Sequence, residues 1–316
     1  MPELPLVVVA DPIDRAALER LRAGPCRVVD ASGDPGSLAG HLAGASVVIV
    51  RSRTKVSADF LGAAPALTLV ARAGVGVDNV DMTAAAARGI RVVNAPAAAT
   101  ASVAELTVAF YLLLVRGLVP AIASVKAGRW ERSAHGRELA GKTVGFVGYG
   151  RIAREVARRI EPFGAPTVAY DPFVPAAVDR TEIVPWEALL ARADIVSVHA
   201  ALTSENRHLL DARAFARMKP GAVLVNVARG PLVDEAALLA TLKAGRLSGA
   251  ALDVFEVEPP VNRELLELPN VIATPHIGAM TAEGQGRAGA EIVDEVLRAV
   301  RGEPLHSLVP PPGGRP

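Results

Sequence analysis

Short runs of Val, Ile and Leu recur along this chain, separated by stretches bearing Ala, Leu and Arg. The early runs are LVVVA at 6–10, CRVVD at 26–30, SVVIV at 46–50, LTLVARA at 67–73 and IRVVNA at 90–95. They are apolar at consecutive rather than alternate positions, which predicts strands buried on both faces. Between them, 14–22, 36–43 and 81–88 predict helices, so the first hundred residues read as a parallel sheet covered on both sides. A second series follows: TVGFV at 143–147, TVAYD at 167–171, DIVSVHA at 194–200, AVLVNVA at 222–228, GAALDVF at 249–255 and VIATP at 271–275. Six such strands make a mononucleotide-binding repeat run twice. Residues 100–127 predict one long connecting helix, starting near Ser102 and stopping at Ala127-Gly128-Arg129. A last helix, from about Thr281 to Arg301, follows the final strand and is expected to cross back to the first domain. The expected fold class is therefore α/β, with two doubly wound parallel-sheet domains, one discontinuous (1–98 with 286–316) and one continuous (99–285). The proline-rich stretch VPPPGGRP at the end cannot build a core and is expected to be loose.

Composition narrows the function classes. The chain has 316 residues, 51% of them hydrophobic, enough for two cores of ordinary size. Lys and Arg (34) nearly balance Asp and Glu (33) and are scattered, which argues against a nucleic-acid partner. The single Cys26 excludes a disulfide framework and suits a reducing cytosol. The opening MPELPLVVVADP carries an acid and prolines rather than a basic region and a long apolar core, so it does not read as a secretory signal. Leu106–Val115, the most apolar stretch, is too short to span a bilayer and is flanked by Glu105 and Arg116. A cytoplasmic protein with no membrane partner and no metal is expected.

The second series opens on TVGFVGYGRIA, residues 143–153. Strand, glycine turn and helix start follow one another there, the context in which GxGxx(G/A) signifies dinucleotide binding. Gly148 permits the turn, Gly150 lets a pyrophosphate approach the backbone, and Ala153 lets helix and strand pack closely. The phosphates would meet free N–H groups and the positive end of the helix dipole. Glycine turns of this kind also occur as plain structure; Asp171, about twenty residues on, favours the nucleotide reading. An acid there accepts hydrogen bonds from the adenosine ribose and repels the extra phosphate of NADP, so the expected cofactor is NAD.

In open parallel sheets ligands bind beyond the carboxyl ends of the strands. Four strands of the second series end in unusual polar residues: His199, then Arg229, then Asp253 with Glu258, then His276. Each alone reads better as a polar residue capping a strand or helix; all four strand ends agreeing reverses that preference and marks an edge. Hydride transfer between NAD and a 2-hydroxy acid needs a proton acceptor for the hydroxyl and a cation for the carboxylate. Histidine suits the first task and the planar, permanently charged arginine fork the second. A carboxylate beside the histidine would stabilise the imidazolium and orient the ring. His276, Arg229 and Glu258 fill these roles if the fold brings them together.

Several ordered blocks resemble the D-isomer-specific 2-hydroxyacid dehydrogenases, and within them the short forms of D-3-phosphoglycerate dehydrogenase. They run from VRSRTKV at 50–56 through RAGVGVDNVD at 72–81, NAP and SVAEL at 94–106, GKTVGFVGYGRIA at 141–153, NVARGPLVDEAAL at 226–238 and ALDVFEVEP at 251–259 to TPHIGAMTAE at 274–283. The resemblance implies a Rossmann domain inserted in a discontinuous flavodoxin-like substrate domain. It implies His276 as acid/base, Glu258 as its partner and Arg229 as anchor for carboxylate and carbonyl. Cofactor contacts would come from Gly148, Gly150, Arg151, Ile152, Asp171, His199, Thr203, Val227, Asp253, His276, Gly278 and Ala279. Substrate contacts would come from Arg51, Ser52, Arg229 and the N–H groups of the Val75-Gly76 turn, with Arg51 or Arg53 binding a phosphate or forming a surface salt bridge. A homodimer built on the dinucleotide domain and the 100–127 helix is also implied.

There are departures from the family's pattern: Ala153 replaces the commoner third glycine, Ala201 stands where proline usually follows His199, and Ala99 stands where phosphoglycerate enzymes often have asparagine. No regulatory domain, and hence no serine control through one, is expected. The implied reaction is NAD-dependent oxidation of a D-2-hydroxy acid to its 2-keto acid, with D-3-phosphoglycerate as substrate in serine biosynthesis. Hydroxypyruvate or glyoxylate reduction is the alternative. A non-catalytic NAD-sensing relative of the corepressor type is the reading from another class.

Overall fold

The computed structural model describes residues 4–132, 136–174 and 177–311; the stretch expected to be loose lies outside them from 312 onward. Two compact units result, one joining the described residues up to Thr100 with those from Ala279 on, the other running from Ala101 to Gly278.

The first unit is a five-stranded parallel sheet of β1 (Leu6–Val9), β2 (Arg27–Asp30), β3 (Val47–Val50), β4 (Leu69–Arg72) and β5 (Arg91–Asn94), in the order β2-β1-β3-β4-β5. This is the order of flavodoxin-like sheets. β1 and β3 are buried along their whole length, as consecutive apolar residues require. The predicted helices appear as Arg15–Arg22, Pro35–Leu42 and Met82–Ala87, with a short further one at Ala58–Gly62. The helix Ala282–Val300 is started by Thr281, whose side chain accepts from the Gly284 N–H. Its Ile292, Val293, Val296 and Leu297 enter the core formed by Val7, Val9 and Leu21. Burial is worth roughly 1.5–3 kcal/mol for each large side chain. Gly289 allows the close approach, since a Cβ there would lie 2.9 Å from that of Ala17. The edge of β5 is covered by the chain near its end, with Leu308 bridging Val93 and the Val309 N–H donating to the Val92 carbonyl.

The second unit holds an eight-stranded sheet of β6 (Val144–Val147), β7 (Thr167–Tyr170), β8 (Ala177–Val178), β9 (Thr181–Ile183), β10 (Ile195–Val198), β11 (Val223–Asn226), β12 (Gly249–Leu252) and β13 (Val271–Ala273). Its order is β13-β12-β11-β10-β6-β7-β9-β8, parallel except for the β8–β9 hairpin. The chain runs outward from β6 through β7 to β9 and then returns to β10 on the other side of β6. The strand order therefore reverses beside β6, the position at which doubly wound sheets bind ligands. The six expected strands are all present; the hairpin at 177–183 was not expected, its two strands being too short to show a pattern.

The expected single helix at 100–127 is two helices, Thr100–Arg116 and Leu118–Lys126, bent by 71°. Gly117 lies between them at φ 58, a left-handed conformation that ends a helix and that glycine adopts without steric penalty. Gly128, at φ 74, supplies the expected stop. Among the described residues no single helix is long and apolar enough to cross a membrane.

Candidate active site

The glycine turn follows β6. Gly148 has φ 86, and a Cβ on it would lie 2.7 Å from the Cα and N of Ala200, so both conformation and space demand glycine. Gly150 precedes the helix Arg151–Ile160, and no side chain among the described residues caps that helix start. A Cβ at Gly150 would meet nothing within 4 Å. Open space before uncapped N–H groups is what a pyrophosphate needs. Ala153 is fully buried, in keeping with close packing of this helix on the sheet. Asp171 follows β7 and is turned toward the loop: one carboxylate oxygen accepts from the Tyr149 N–H at 2.8 Å, the other from the Phe173 N–H at 2.9 Å. These residues fit a dinucleotide bound through its phosphates and ribose.

Three neighbouring strands carry the candidate chemistry. At the end of β11, the buried Asn226 shapes the following loop, its Nδ2 donating to the Arg229 carbonyl at 3.0 Å and its Oδ1 accepting from the Ala228 N–H at 3.0 Å. Val227 is buried in this loop and the Arg229 guanidinium, partly exposed, donates to the Ala228 carbonyl. Gly230 lies against the loop beyond β12, where a Cβ would sit 1.8 Å from the carbonyl carbon of Phe255. The Phe255 N–H in turn donates to Glu258 Oε1 at 3.2 Å. Glu258 Oε2 lies 2.9 Å from His276 Nδ1. Backbone bonds tie the three ends together, Asp253 N–H to the Asn226 carbonyl at 3.0 Å and His276 N–H to the Asp253 carbonyl at 2.9 Å.

Asp253 does more in this structure than its sequence position suggested. It is buried, and its carboxylate accepts from Thr274 Oγ1 at 2.6 Å and from the N–H groups of Ile277 and Gly278, each at 2.8 Å. It thereby holds the loop on which His276 adopts φ 52, a left-handed conformation that is uncommon outside glycine. Such backbone costs on the order of 1–3 kcal/mol and persists where the surroundings impose it. The two carboxylates of the EVEP segment part company: Glu258 meets His276, whereas Glu256 accepts from Arg207 at 3.1 Å and pairs with His208 at 2.8 Å.

The two strand-end histidines differ in chemistry. The His199 ring is packed at the end of β10 with Nε2 2.8 Å from Ser197 Oγ, while its buried Nδ1 has no partner among the described residues. Burial pushes its pKa down to about 3, so it is neutral at physiological pH and suited to hydrogen bonding. The half-exposed His276, with a carboxylate on one nitrogen, is suited to proton transfer. Thr203 lies on an exposed loop pinned by Asn206, which accepts from the Thr203 N–H and donates to the Ala201 carbonyl, each at 2.7 Å. The loop is held by Asn206 although Ala201 takes the place of the family's proline.

In the other unit, taken by itself, Val75 and Gly76 follow β4. Among the described residues neither of their N–H groups meets a protein acceptor, while the Val75 carbonyl accepts from Asn94 at 2.6 Å. The two arginines beyond β3 separate in role. Arg53 is committed to Asp11 at 3.1 Å and to the Ser32 carbonyl at 2.7 Å, the salt-bridge use. The Arg51 guanidinium contacts the Pro12 carbonyl at 3.2 Å and Met280 Sδ at 3.7 Å, with no carboxylate among its partners in the described residues, and Ser52 beside it is exposed. Asp11, not anticipated from the sequence, organises this loop. Burial works against its charge, but bonds from the Arg51 N–H, Thr54 and Arg53 outweigh it and hold its pKa below the ordinary value.

The family model for the NAD-binding domain of the D-isomer-specific 2-hydroxyacid dehydrogenases matches residues 108–278. The chain belongs to this family. It is 45% identical to a D-3-phosphoglycerate dehydrogenase of Mycobacterium leprae over 99% of its own length, but spans only 60% of that relative. It is 42% identical to a hydroxypyruvate reductase of Thermotoga maritima, with 92% of this chain and 97% of the relative covered. Among solved structures it resembles the TT0316 protein of Thermus thermophilus, with a TM-score of 0.87 at 35% identity over 96% of this chain and all of that one. The matched domain is NAD-binding, and Gly148, Gly150 and Asp171 all lie within it.

Proposed function

We propose that the protein is an NAD-dependent D-2-hydroxyacid dehydrogenase that oxidises D-3-phosphoglycerate to its 2-keto acid. The observation that carries the chemistry is the 2.9 Å pair of Glu258 with His276 at the end of the strands beside the Arg229 loop. Bound at the Gly148–Gly150 turn, with Asp171, Arg151 and Ile152 beside it, NAD supplies the hydride acceptor. Because the Glu258 carboxylate only accepts, His276 Nδ1 carries the hydrogen between them and Nε2 is the basic nitrogen. Nε2 takes the hydroxyl proton in oxidation and returns it in reduction, and Glu258 stabilises the imidazolium in between. Arg229 offers its planar fork to the carboxylate and carbonyl oxygens. Gly278 and Ala279 follow His276 and extend the backbone on which the cofactor would rest. In the first unit, Arg51, Ser52 and the Val75 and Gly76 N–H groups are suited to the anionic groups of the acid.

The phosphoglycerate substrate is favoured by the Mycobacterium relative, and would place the reaction in serine biosynthesis. Hydroxypyruvate reduction is the second reading, favoured by the Thermotoga relative of nearly matching length. Steady-state rates with a panel of D-2-hydroxy and 2-keto acids decide between them. The highest kcat/KM is expected for the phosphoglycerate pair, and a higher value for hydroxypyruvate overturns the assignment. No turnover of any acid despite tight NADH binding would leave a non-catalytic nucleotide sensor.

Asp171→Ala removes both the ribose acceptor and the charge that repels a 2′-phosphate. A hydrogen bond to a charged group is worth about 1.5–3 kcal/mol, so NAD preference over NADP should fall by about tenfold or more. Unchanged preference in competition assays contradicts the role given to this acid.

We place the enzyme in the cytoplasm, as the lone buried Cys26 suits. We also propose a homodimer. Leu118, Val119, Ile122 and Val125 on the second of the two bent helices, with Trp130 beyond it, are exposed, an apolar stretch that a second copy would cover. Sedimentation equilibrium should give twice the chain mass; a monomer at micromolar concentration contradicts it.

A further inference from the structure

We propose that Tyr149 and Thr181 form a positioning device that sets dinucleotide selectivity by holding the backbone N–H that orients Asp171. The proposal rests on reading the glycine turn as the NAD site. Phosphate approach requires nothing of the middle residue in Gly148-Tyr149-Gly150 beyond its backbone, yet a tyrosine stands there with 1% of its surface exposed. Its hydroxyl is 2.7 Å from Thr181 Oγ1, and Thr181, itself buried, lies 2.7 Å from Thr167 Oγ1. Thr181 begins β9 in the edge hairpin and Thr167 begins β7, so the side chain spans from the turn to two strands. The guanidinium of Arg154 lies over the ring, 5.5 Å from its centroid, and its Nε donates to the Tyr149 carbonyl at 3.2 Å.

Tyr149 is thus held at the ring tip, at the ring face and at the carbonyl. Its remaining backbone group, the N–H, donates to Asp171 Oδ2 at 2.8 Å, with the Phe173 N–H on Oδ1. Two donors on two oxygens fix the carboxylate plane and leave its other lone pairs for ribose hydroxyls. A loosened turn would let Asp171 swing, weakening its bonds to the ribose and its repulsion of a 2′-phosphate together. A phenylalanine would fill the same space without the hydroxyl that ties the turn to Thr181.

The experiment measures NADH and NADPH dissociation constants by fluorescence titration. Tyr149→Phe removes only the hydroxyl and leaves Thr181 its Thr167 partner, so the chain is expected to fold. The NADH constant should rise about threefold to tenfold, the worth of one hydrogen bond, while the NADPH constant holds or falls. Thr181→Val should repeat the shift and Thr181→Ser should not. In an Asp171→Asn background Tyr149→Phe should add nothing further. Equal losses for both dinucleotides, additivity with Asp171→Asn, or unchanged NADH affinity would each reduce Tyr149 to core packing. Wild-type protein that bound neither dinucleotide would overturn the nucleotide site itself, and this proposal with it.

Discussion

His276→Asn should lower kcat by about 10²–10⁴-fold, the usual contribution of a general acid–base group, while NADH affinity stays within about twofold. Asparagine is the informative replacement. It tolerates the left-handed backbone found at His276, φ 52, so the loop held by Asp253 should keep its shape. It can still hydrogen-bond to Glu258, but it cannot take a proton near neutral pH. A turnover loss with the cofactor still bound therefore separates proton transfer from loop collapse. A kcat within tenfold of wild type, measured at saturating NAD and acid, would contradict the assignment of His276 and move attention to another base. His199 is a poor substitute, because burial holds it neutral down to about pH 3.

The second large effect is expected from a residue with no side chain. A methyl group on Gly230 would sit 1.8 Å from the carbonyl carbon of Phe255 and 1.9 Å from its oxygen. Both atoms are backbone, so no rotamer change relieves the overlap; one loop must move. Overpacking of this kind costs typically about 1–3 kcal/mol and sometimes more. Arg229 is the neighbour on one side of the contact, and Phe255, whose N–H holds Glu258, lies on the other. Gly230→Ala should therefore lower kcat/KM by about 100-fold or more and lower the melting temperature as well. Gly245→Ala is the control. Gly245 has φ 69 but open space around it, so the replacement should cost about 1 kcal/mol of stability with kcat/KM unchanged. Equal kinetic losses in both variants would show that stability alone, and not the Arg229–Glu258 geometry, had been disturbed.

The repeat of apolar runs was enough to read two parallel sheets, because strands buried on both faces leave a strong and simple pattern. The polar strand ends were legible because His199, Arg229 and His276 stand at or just beyond the ends of apolar runs. Position along the chain could say that Glu258 and His276 end neighbouring elements, but the 2.9 Å pair depends on three loops tied through Asn226 and Asp253. Asn226 sits within a motif noticed for Arg229, and its contribution is made by hydrogen bonds that no spacing reveals.

Other features were invisible for definite reasons. The apolar pattern runs on through Gly117, so a bend caused by one left-handed residue reads as a continuous helix. The hairpin at 177–183 offers too few residues for any periodicity, and with it went the partner of Tyr149. Arg51 and Arg53 are alike in sequence; Asp11, about forty positions earlier, claims the second through its side chain and the first only through its N–H.

The proposed reaction moves a hydride from a D-2-hydroxy acid to NAD. D-3-phosphoglycerate carrying deuterium on C2, turned over with NAD, tests it in one measurement, followed by mass spectrometry of the reduced dinucleotide. One deuterium per NADH, with none from the L isomer, is the predicted result. Reduced dinucleotide without the label, or none formed from any D-2-hydroxy acid, would contradict it.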